Sequence, residues 1–266
     1  MPTKRMMLQF TYSFQSEWLK IKRSLALWIV VAGAFFVPVI VIAVRIIHYK
    51  NLPALYAAAN FWTTLWHSLW ESMAIFLLPL GTILTTALVA QIEYKNNAWK
   101  QLHTLPVTQR TIFFSKLSVI LVMLLAFFAL FNLGIYLTAV IPYMIVPGVP
   151  YPGGEIPYAD FAFQDLEYMI VCLPIVALQY LMSLKYKNFL VPIGVGFLLW
   201  VAALASLSWE YGYLMPYTYC MLTYVKSGGS AKVILPNMDL RLLAILYFVI
   251  VTALSYILFI TKKEKG

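Results

Sequence analysis

The chain has 266 residues, of which 62% are apolar and only 11% charged, and a soluble globular fold of this length cannot bury that much apolar surface. The mean hydropathy of +0.82 likewise indicates a chain whose solvent is lipid. The net charge of +9 would favour nucleic acid as the partner of a soluble protein, but in a membrane chain it reports which loops face the cytoplasm. We therefore expect an all-α polytopic membrane protein and no nucleic-acid partner.

Residues 1–24 are predicted to form a cytoplasmic amphipathic helix ahead of the first span. Apolar residues recur there at steps of three and four, namely Met7, Phe10, Phe14, Trp18, Ile21 and Leu25. The opposite face carries Lys20 and Arg23, so the helix is expected to lie along the inner leaflet. A simple anchor to anionic lipid remains an alternative interpretation of the same pattern.

Six stretches are long and apolar enough, or nearly so, to cross a hydrocarbon core of roughly 30 Å as helices. They cover residues 25–44, 72–92, 117–141, 168–184, 189–209 and 242–261, and together they predict one transmembrane domain over 1–266. A further uncharged segment, Tyr211 to Val225, has only 15 residues and contains Pro216. It is therefore predicted to be re-entrant or interfacial and not to cross the membrane.

An aromatic stretch precedes the second predicted span. Indole rings favour the level of the lipid headgroups. The sequence therefore predicts an interfacial belt made of Phe61, Trp62, Trp66 and Trp70.

Basic residues distribute very unequally between the two sets of loops. Fourteen Lys and Arg residues fall in the set that includes both termini, while the opposite set holds five, together with seven acids. The excess of basic residues places the first set, and both termini, in the cytoplasm. The first apolar run begins only at Leu25 and is long enough to span, so it is predicted to be a retained anchor and not a signal peptide.

The longest cytoplasmic loop runs from Glu93 to Lys116. Glu93 to Leu105 is predicted to continue the second span as a helix, Pro106 to stop it, and Thr108 to cap the next helix. Apolar side chains of this loop, framed by basic ones, are predicted to form a knob suited to a protein partner, and resting on the membrane surface is the alternative interpretation. The apolar members are Trp99, Leu102 and Leu105, and the basic ones are Lys95, Lys100 and Arg110.

Two stretches of the chain resemble a known family. SEWLKIKRSLALW, from Ser16 to Trp28, is followed after one more span by E-x5-W-K-x-L-x-x-L-P-V-T-x-R, from Glu93 to Arg110, and then by Ser115 and Lys116. This arrangement is similar to permease subunits of type-2 ABC transporters, and most similar to the small permeases of bacitracin and lantibiotic immunity. The resemblance implies six spans, an N-terminal connecting helix and a cytoplasmic coupling helix between spans two and three.

The resemblance also implies a function, namely ATP-driven export of a peptide antibiotic, lipid or other amphiphile across the plasma membrane. The partners it implies are separate ATPase subunits, a second permease copy or homologue, and membrane lipid. The chain lacks the sequence G-x-x-x-x-G-K-[ST], so ATP hydrolysis is expected in the partner and no cofactor or catalytic residue is expected here. By position, the coupling residues are Glu93, Trp99, Lys100, Leu102 and Leu105, and those of the connecting helix are Phe14, Trp18, Lys20, Lys22 and Arg23.

An intramembrane enzyme and an ion-coupled carrier remain the alternatives. The best candidate for catalysis or metal binding is His67 with Glu71, but catalytic zinc normally takes three protein ligands, so no metal site is expected. Ionisable residues within spans are the usual mark of ion coupling, and the predicted spans contain none in their middle. Asn132 and Gln179 are neutral and are explained by interhelical hydrogen bonds or by a pore lining. Cys172 and Cys220 are expected to be packing residues.

Overall fold

The computed structural model describes residues 2–22, 24–95, 108–228 and 238–261, and in these residues it is helical with no strand. The expected all-α polytopic fold is confirmed. The principal helices, in chain order, are α1 (Pro2–Ile21), α2 (Leu25–Ile47), α3 (Leu52–Tyr56), α4 (Phe61–Ser72), α5 (Leu78–Lys95), α6 (Gln109–Ile145), α7 (Tyr158–Lys185), α8 (Leu190–Ser206), α9 (Tyr219–Lys226) and α10 (Leu240–Thr261). Short 3-10 turns cover Tyr49–Asn51, Gly212–Leu214 and Pro216–Thr218.

Five continuous helical segments in the described residues are long and apolar enough to cross a membrane. They are Leu25–Ile47, Phe61–Ile92, Gln109–Ile145, Tyr158–Lys185 and Leu240–Thr261. Where the sequence predicts the fifth span, α8 has only 17 residues. At 1.5 Å per residue it rises about 25 Å, which is shorter than a typical hydrocarbon core. The number and limits of the spans therefore stay a prediction.

The second membrane helix begins eleven residues before the predicted span, because α4 continues through a π-helical turn at Met73–Leu77 directly into α5. The aromatic side chains of the predicted interfacial belt face other helices of the protein, and their level in the membrane stays a prediction. All four are buried: Phe61, Trp62, Trp66 and Trp70 are at most 3% exposed. Trp66 stacks on Phe161 and Trp70 on Tyr168, so these rings hold α4 against α7. The preference of indole for the headgroup level does not indicate whether a ring faces lipid or protein.

Two prolines inside the helices leave a carbonyl without its usual helical donor, and another helix supplies a donor in each case. Pro79 cannot donate to the carbonyl oxygen of Ile75, and the indole Nε1 of Trp200 donates to that oxygen at 2.9 Å. Pro142 cannot donate to the carbonyl oxygen of Thr138, and Nη1 of Arg45 donates to it at 3.1 Å. The prolines thus create contacts from α5 to α8 and from α6 to α2.

A third proline sits against a glycine at the contact between α2 and α6. A β-carbon placed on Gly134 would lie 2.7 Å from Cγ of Pro38. Only a residue without a side chain lets the proline ring approach this closely. The pair therefore fixes α2 and α6 in one position along their length.

The ends of the helices define two ends of the bundle. Near the start of α6, Ser115 contacts Ser13 of α1, and the Phe113 ring packs against Tyr180 of α7 and Phe259 of α10. We call this the α1 end. It brings α1 and the last described turns of α10 together, so the described segments near both termini share one end of the bundle.

The segment from Tyr211 to Val225 is buried in the bundle over its second half, whereas Tyr211 and Leu214 near its start are exposed. Tyr217, Tyr219 and Cys220 are at most 1% exposed. The hydroxyl of Tyr217 accepts a hydrogen bond from Nε2 of Gln179 at 2.8 Å, and Sγ of Cys220 lies 3.6 Å from Sγ of Cys172. The segment therefore packs on α7 through its buried side chains.

We expect Trp200→Phe to destabilise the protein by about 1–3 kcal/mol, because the partly buried Ile75 carbonyl would lose its indole donor. Thermal unfolding in detergent measures the loss. Trp28→Phe is the matched control, since Trp28 is 69% exposed. Equal melting temperatures for the two variants would contradict the role assigned to Trp200.

We expect mild oxidation with copper phenanthroline to join Cys172 to Cys220, because their sulfur atoms need to approach by only about 1.5 Å to reach disulfide distance. Proteolysis between α7 and α8 followed by non-reducing electrophoresis would show two fragments held together. Cys220→Ser is the control and should give separate fragments. Failure to form the cross-link in the unchanged chain would contradict the packing of Tyr211 to Val225 on α7.

Candidate coupling site

A buried ion pair joins α1 to the first turns of α6. Nζ of Lys116 donates to Oε2 of Glu17 at 3.0 Å, and Nζ of Lys20 donates to the other carboxylate oxygen. Glu17 is 5% exposed and Lys116 only 1%. One turn away, the hydroxyls of Ser13 and Ser115 are hydrogen-bonded at 2.9 Å. We call these five residues the α1–α6 junction.

The two lysines determine the charge state of Glu17. Burial alone would raise the pKa of its carboxyl, but attraction to Lys116 and Lys20 and their hydrogen bonds outweigh burial and hold the pKa below its ordinary value. The carboxylate therefore remains ionised at neutral pH. A buried ion pair gives little net stability over an apolar pair, but removing one partner alone is costly. The junction consequently fixes where α1 docks more than it adds to stability.

The junction orients α1 differently from the sequence prediction. The predicted lipid-facing side chains Phe14 and Trp18 pack against the core of the bundle, and Ile21 is 1% exposed. A different stripe of apolar residues points away from the bundle, namely Leu8, Tyr12 and Leu19. Hydrophobic spacing located the helix, but a partly apolar helix has more than one face that can bury.

The predicted coupling loop follows α5 and leads into α6 beside the junction. The prediction that Thr108 caps α6 is confirmed, because its hydroxyl accepts a hydrogen bond from the backbone N–H of Thr111 at 3.3 Å. Glu93 lies in the last turn of α5. Of the other coupling and connecting residues, Trp99, Lys100, Leu102, Leu105 and Arg23 lie outside the described residues. Lys22 is exposed in the turn after α1.

Asn132 and Gln179 both make contacts between helices. Nδ2 of Asn132 donates to the carboxylate of Asp165 at 2.6 Å. Gln179 is fully buried against Gly196 of α8 and donates to the Tyr217 hydroxyl. These bonds engage the amide nitrogens of both side chains, while Oε1 of Gln179 is buried without a hydrogen-bond partner. A role in lining a pore stays a prediction.

Sequence reasoning missed Glu17 and its pairing with Lys116. A signal was present, since Glu17 is the one acid among the first 70 residues and lies beside the predicted apolar face. Across the described ranges, no three His, Cys, Asp or Glu side chains come close enough together to hold a metal ion.

Comparison with known proteins adds one match. A family model described as ABC-2 family transporter protein covers residues 13–203, well over half of the chain. The matched region contains the α1–α6 junction, the predicted coupling loop and helices α2 to α7. No curated protein matches the chain.

We expect Glu17→Met or Lys116→Met alone to destabilise the protein by about 3–5 kcal/mol, because each leaves an opposite charge buried beside an apolar side chain. The double variant should recover most of that loss, since it buries neither charge. Thermal unfolding measures stability, and the rate of trypsin cleavage after Lys20, which is hydrogen-bonded to Glu17 within α1, reports undocking of α1.

Lys22→Met is the matched control for stability, because Lys22 is exposed. Single variants as stable as this control would contradict the importance of the pair. Additive losses in the double variant would show that Glu17 and Lys116 act independently.

Proposed function

The chain belongs to the ABC-2 transporter family, and from this membership we propose that it exports an amphiphile as one of two permease subunits driven by a separate ATPase. Membership makes it a membrane component of an ABC transporter. The observation that carries the finer proposal is the α1–α6 junction, because it ties a helix at one end of the bundle to the longest helix of the protein.

Helix α6 can transmit movement of the ATPase to the membrane part of the protein. Helix α6 has 37 residues and rises about 55 Å, enough to pass through a membrane and beyond it. It starts directly after the predicted coupling loop, is fixed to α1 by Glu17 and Lys116, and contacts Arg45 of α2 toward its other end. ATPase closure against the loop would therefore move α1 and α6 together.

The α1 end is proposed to face the cytoplasm of a cell whose plasma membrane holds the protein. The excess of basic residues in the loops and tails at this end supports that orientation. It puts both termini, the connecting helix and the coupling loop on the side where ATP is present. The exposed stripe of Leu8, Tyr12 and Leu19 would then rest on inner-leaflet lipid.

Substrate class and subunit number are inherited from the resemblance. Small permeases of bacitracin and lantibiotic immunity export peptide antibiotics, and we place this chain beside them on the arrangement of Ser16 to Trp28 and Glu93 to Arg110. In such a transporter the pathway lies between two permeases, which is why a second copy or a homologue belongs to the proposal.

An ion-coupled carrier is the second candidate, and the contact of Asn132 with Asp165 is the observation that favours it. Asp165 has a buried carboxylate oxygen, Oδ1, with no hydrogen-bond partner. However, Asp165 lies in the third turn of α7, at the end of the bundle away from α1, and a single acid there does not make a relay across the membrane. Export that persists after the proton and sodium gradients are collapsed would eliminate this candidate.

We expect the intact chain, purified from its own cells in a mild detergent, to bring down a nucleotide-binding subunit. Trp99→Asp with Leu102→Asp should lower that recovery by about tenfold or more, because two apolar contact residues of an interface would become charged. Quantitative mass spectrometry of the purified complex measures the ratio of ATPase to permease.

Trp209→Asp with Leu214→Asp is the matched control, since both side chains are more than half exposed and lie at the end of the bundle away from α1. Loss of ATPase in both double variants would point to general damage and would contradict a specific contact through the loop. Recovery of no ATPase with the unchanged chain would overturn the proposed function itself.

A further inference from the structure

A groove between α2, α5 and α6 opens on the outer surface of the bundle. Its cavity volume is about 340 Å³. That volume is at the lower end of the range of roughly 300–1,000 Å³ found for small-molecule sites. Its walls are almost entirely apolar and include Phe36 of α2 and Met123 and Phe127 of α6. Phe36 is 57% exposed and stands at the rim, so the groove communicates with the surrounding lipid.

Gly81 of α5 keeps the groove open. A β-carbon built at this glycine would meet no atom within 4 Å. On the α2 side, a β-carbon built on Gly33 would touch Phe127 only at an ordinary contact distance of 3.6 Å. The groove is therefore open beside these glycines, and a larger side chain at Gly81 would fill part of it.

One hydroxyl in the wall has no partner. Thr86 of α5 is fully buried, and its Oγ1 makes no hydrogen bond. Threonines in helices commonly donate to a carbonyl one turn earlier, as Thr82 does to the carbonyl oxygen of Leu78 at 2.7 Å. A buried hydroxyl left unpaired is costly, so a ligand that offers an oxygen beside Thr86 would relieve that cost.

The groove lies in the half of the bundle nearer to the α1 end. Met123 follows Lys116 by seven residues, about 10 Å along α6. Thr86 precedes the end of α5 at Lys95 by nine residues, about 14 Å along its axis. A molecule entering from the leaflet at the α1 end would thus place a hydrocarbon chain in the groove and a polar group toward that end.

We propose that this groove binds one acyl chain of an amphiphile, with Thr86 hydrogen-bonded to the ester, amide or hydroxyl oxygen at the head of the chain. The inference rests on the proposed function and narrows its substrate class to acylated amphiphiles. The apolar walls recognise the chain, and Thr86 distinguishes an acyl amphiphile from plain hydrocarbon.

Photolabelling of the full chain in phosphatidylcholine nanodiscs tests the groove. The probe is a monoacylglycerol with a diazirine in its acyl chain, and mass spectrometry maps the labelled residues. We expect labels on the facing sides of α2, α5 and α6. Gly81→Phe should lower this labelling by about tenfold, because the ring occupies the space that the chain would fill. Gly194→Phe is the matched control, since Gly194 of α8 also has no atom within 4 Å of its β-carbon position.

Thr86→Val provides a second variant that keeps the shape of the side chain. It should weaken labelling by the monoacylglycerol about fivefold, as expected for one lost hydrogen bond, and leave labelling by an alkane carrying the same diazirine unchanged. Equal effects on the two probes would overturn the role of Thr86.

Three other outcomes would overturn the groove as a binding site. They are unchanged labelling in Gly81→Phe, equal labelling of Phe197 and the rest of the lipid-facing surface, and cross-links from the groove to a second copy of the chain. The assay contains neither ATPase nor ATP. Its result is therefore independent of whether an ATPase is recovered with the chain, so failure of this inference and failure of the proposed function are distinguishable.

Discussion

A carboxylate and an ammonium group buried together constrain a structure more strongly than their net energy suggests, because each tolerates burial only beside the other. Glu17 and Lys116 impose this constraint at the α1 end. They fix which face of α1 meets the bundle, and therefore which apolar residues of α1 remain exposed. They also bring a helix from the start of the chain to the residues that follow the predicted coupling loop. One buried ion pair thus holds α1 beside the first turns of α6.

Much of the fold follows from the sequence, because long apolar stretches must be helices in lipid. Helix α6 and its cap at Thr108 were predictable for this reason and from the chemistry of helix starts. Helix α4 continues the membrane helix ahead of the predicted span, and its turns lay outside that span because tryptophans and His67 lower the local hydropathy. The tryptophans are buried against other helices and did not need to be apolar enough for lipid.

Contacts between helices were the part that the sequence did not reveal. Gln179 was recognised as polar and buried. Its partner Tyr217 lies in the segment from Tyr211 to Val225, and no local sequence pattern predicts how deeply that segment is buried in the bundle. Glu17 was missed, because only the packing of α1 on α6 brings Lys116 beside it. Such pairs depend on three-dimensional proximity between residues many positions apart, which neither hydropathy nor periodicity encodes.

The contact of Pro38 with Gly134 has a consequence for motion. The ring of Pro38 occupies the space left by Gly134, so α2 and α6 cannot slide along each other without a steric clash. The hydrogen bond from Arg45 to the Thr138 carbonyl joins the same two helices a second time near the far end. The two helices therefore move as one rigid unit. Any change of shape during a transport cycle has to occur where this unit meets its neighbours, and one such contact, with α5, borders the apolar groove of about 340 Å³.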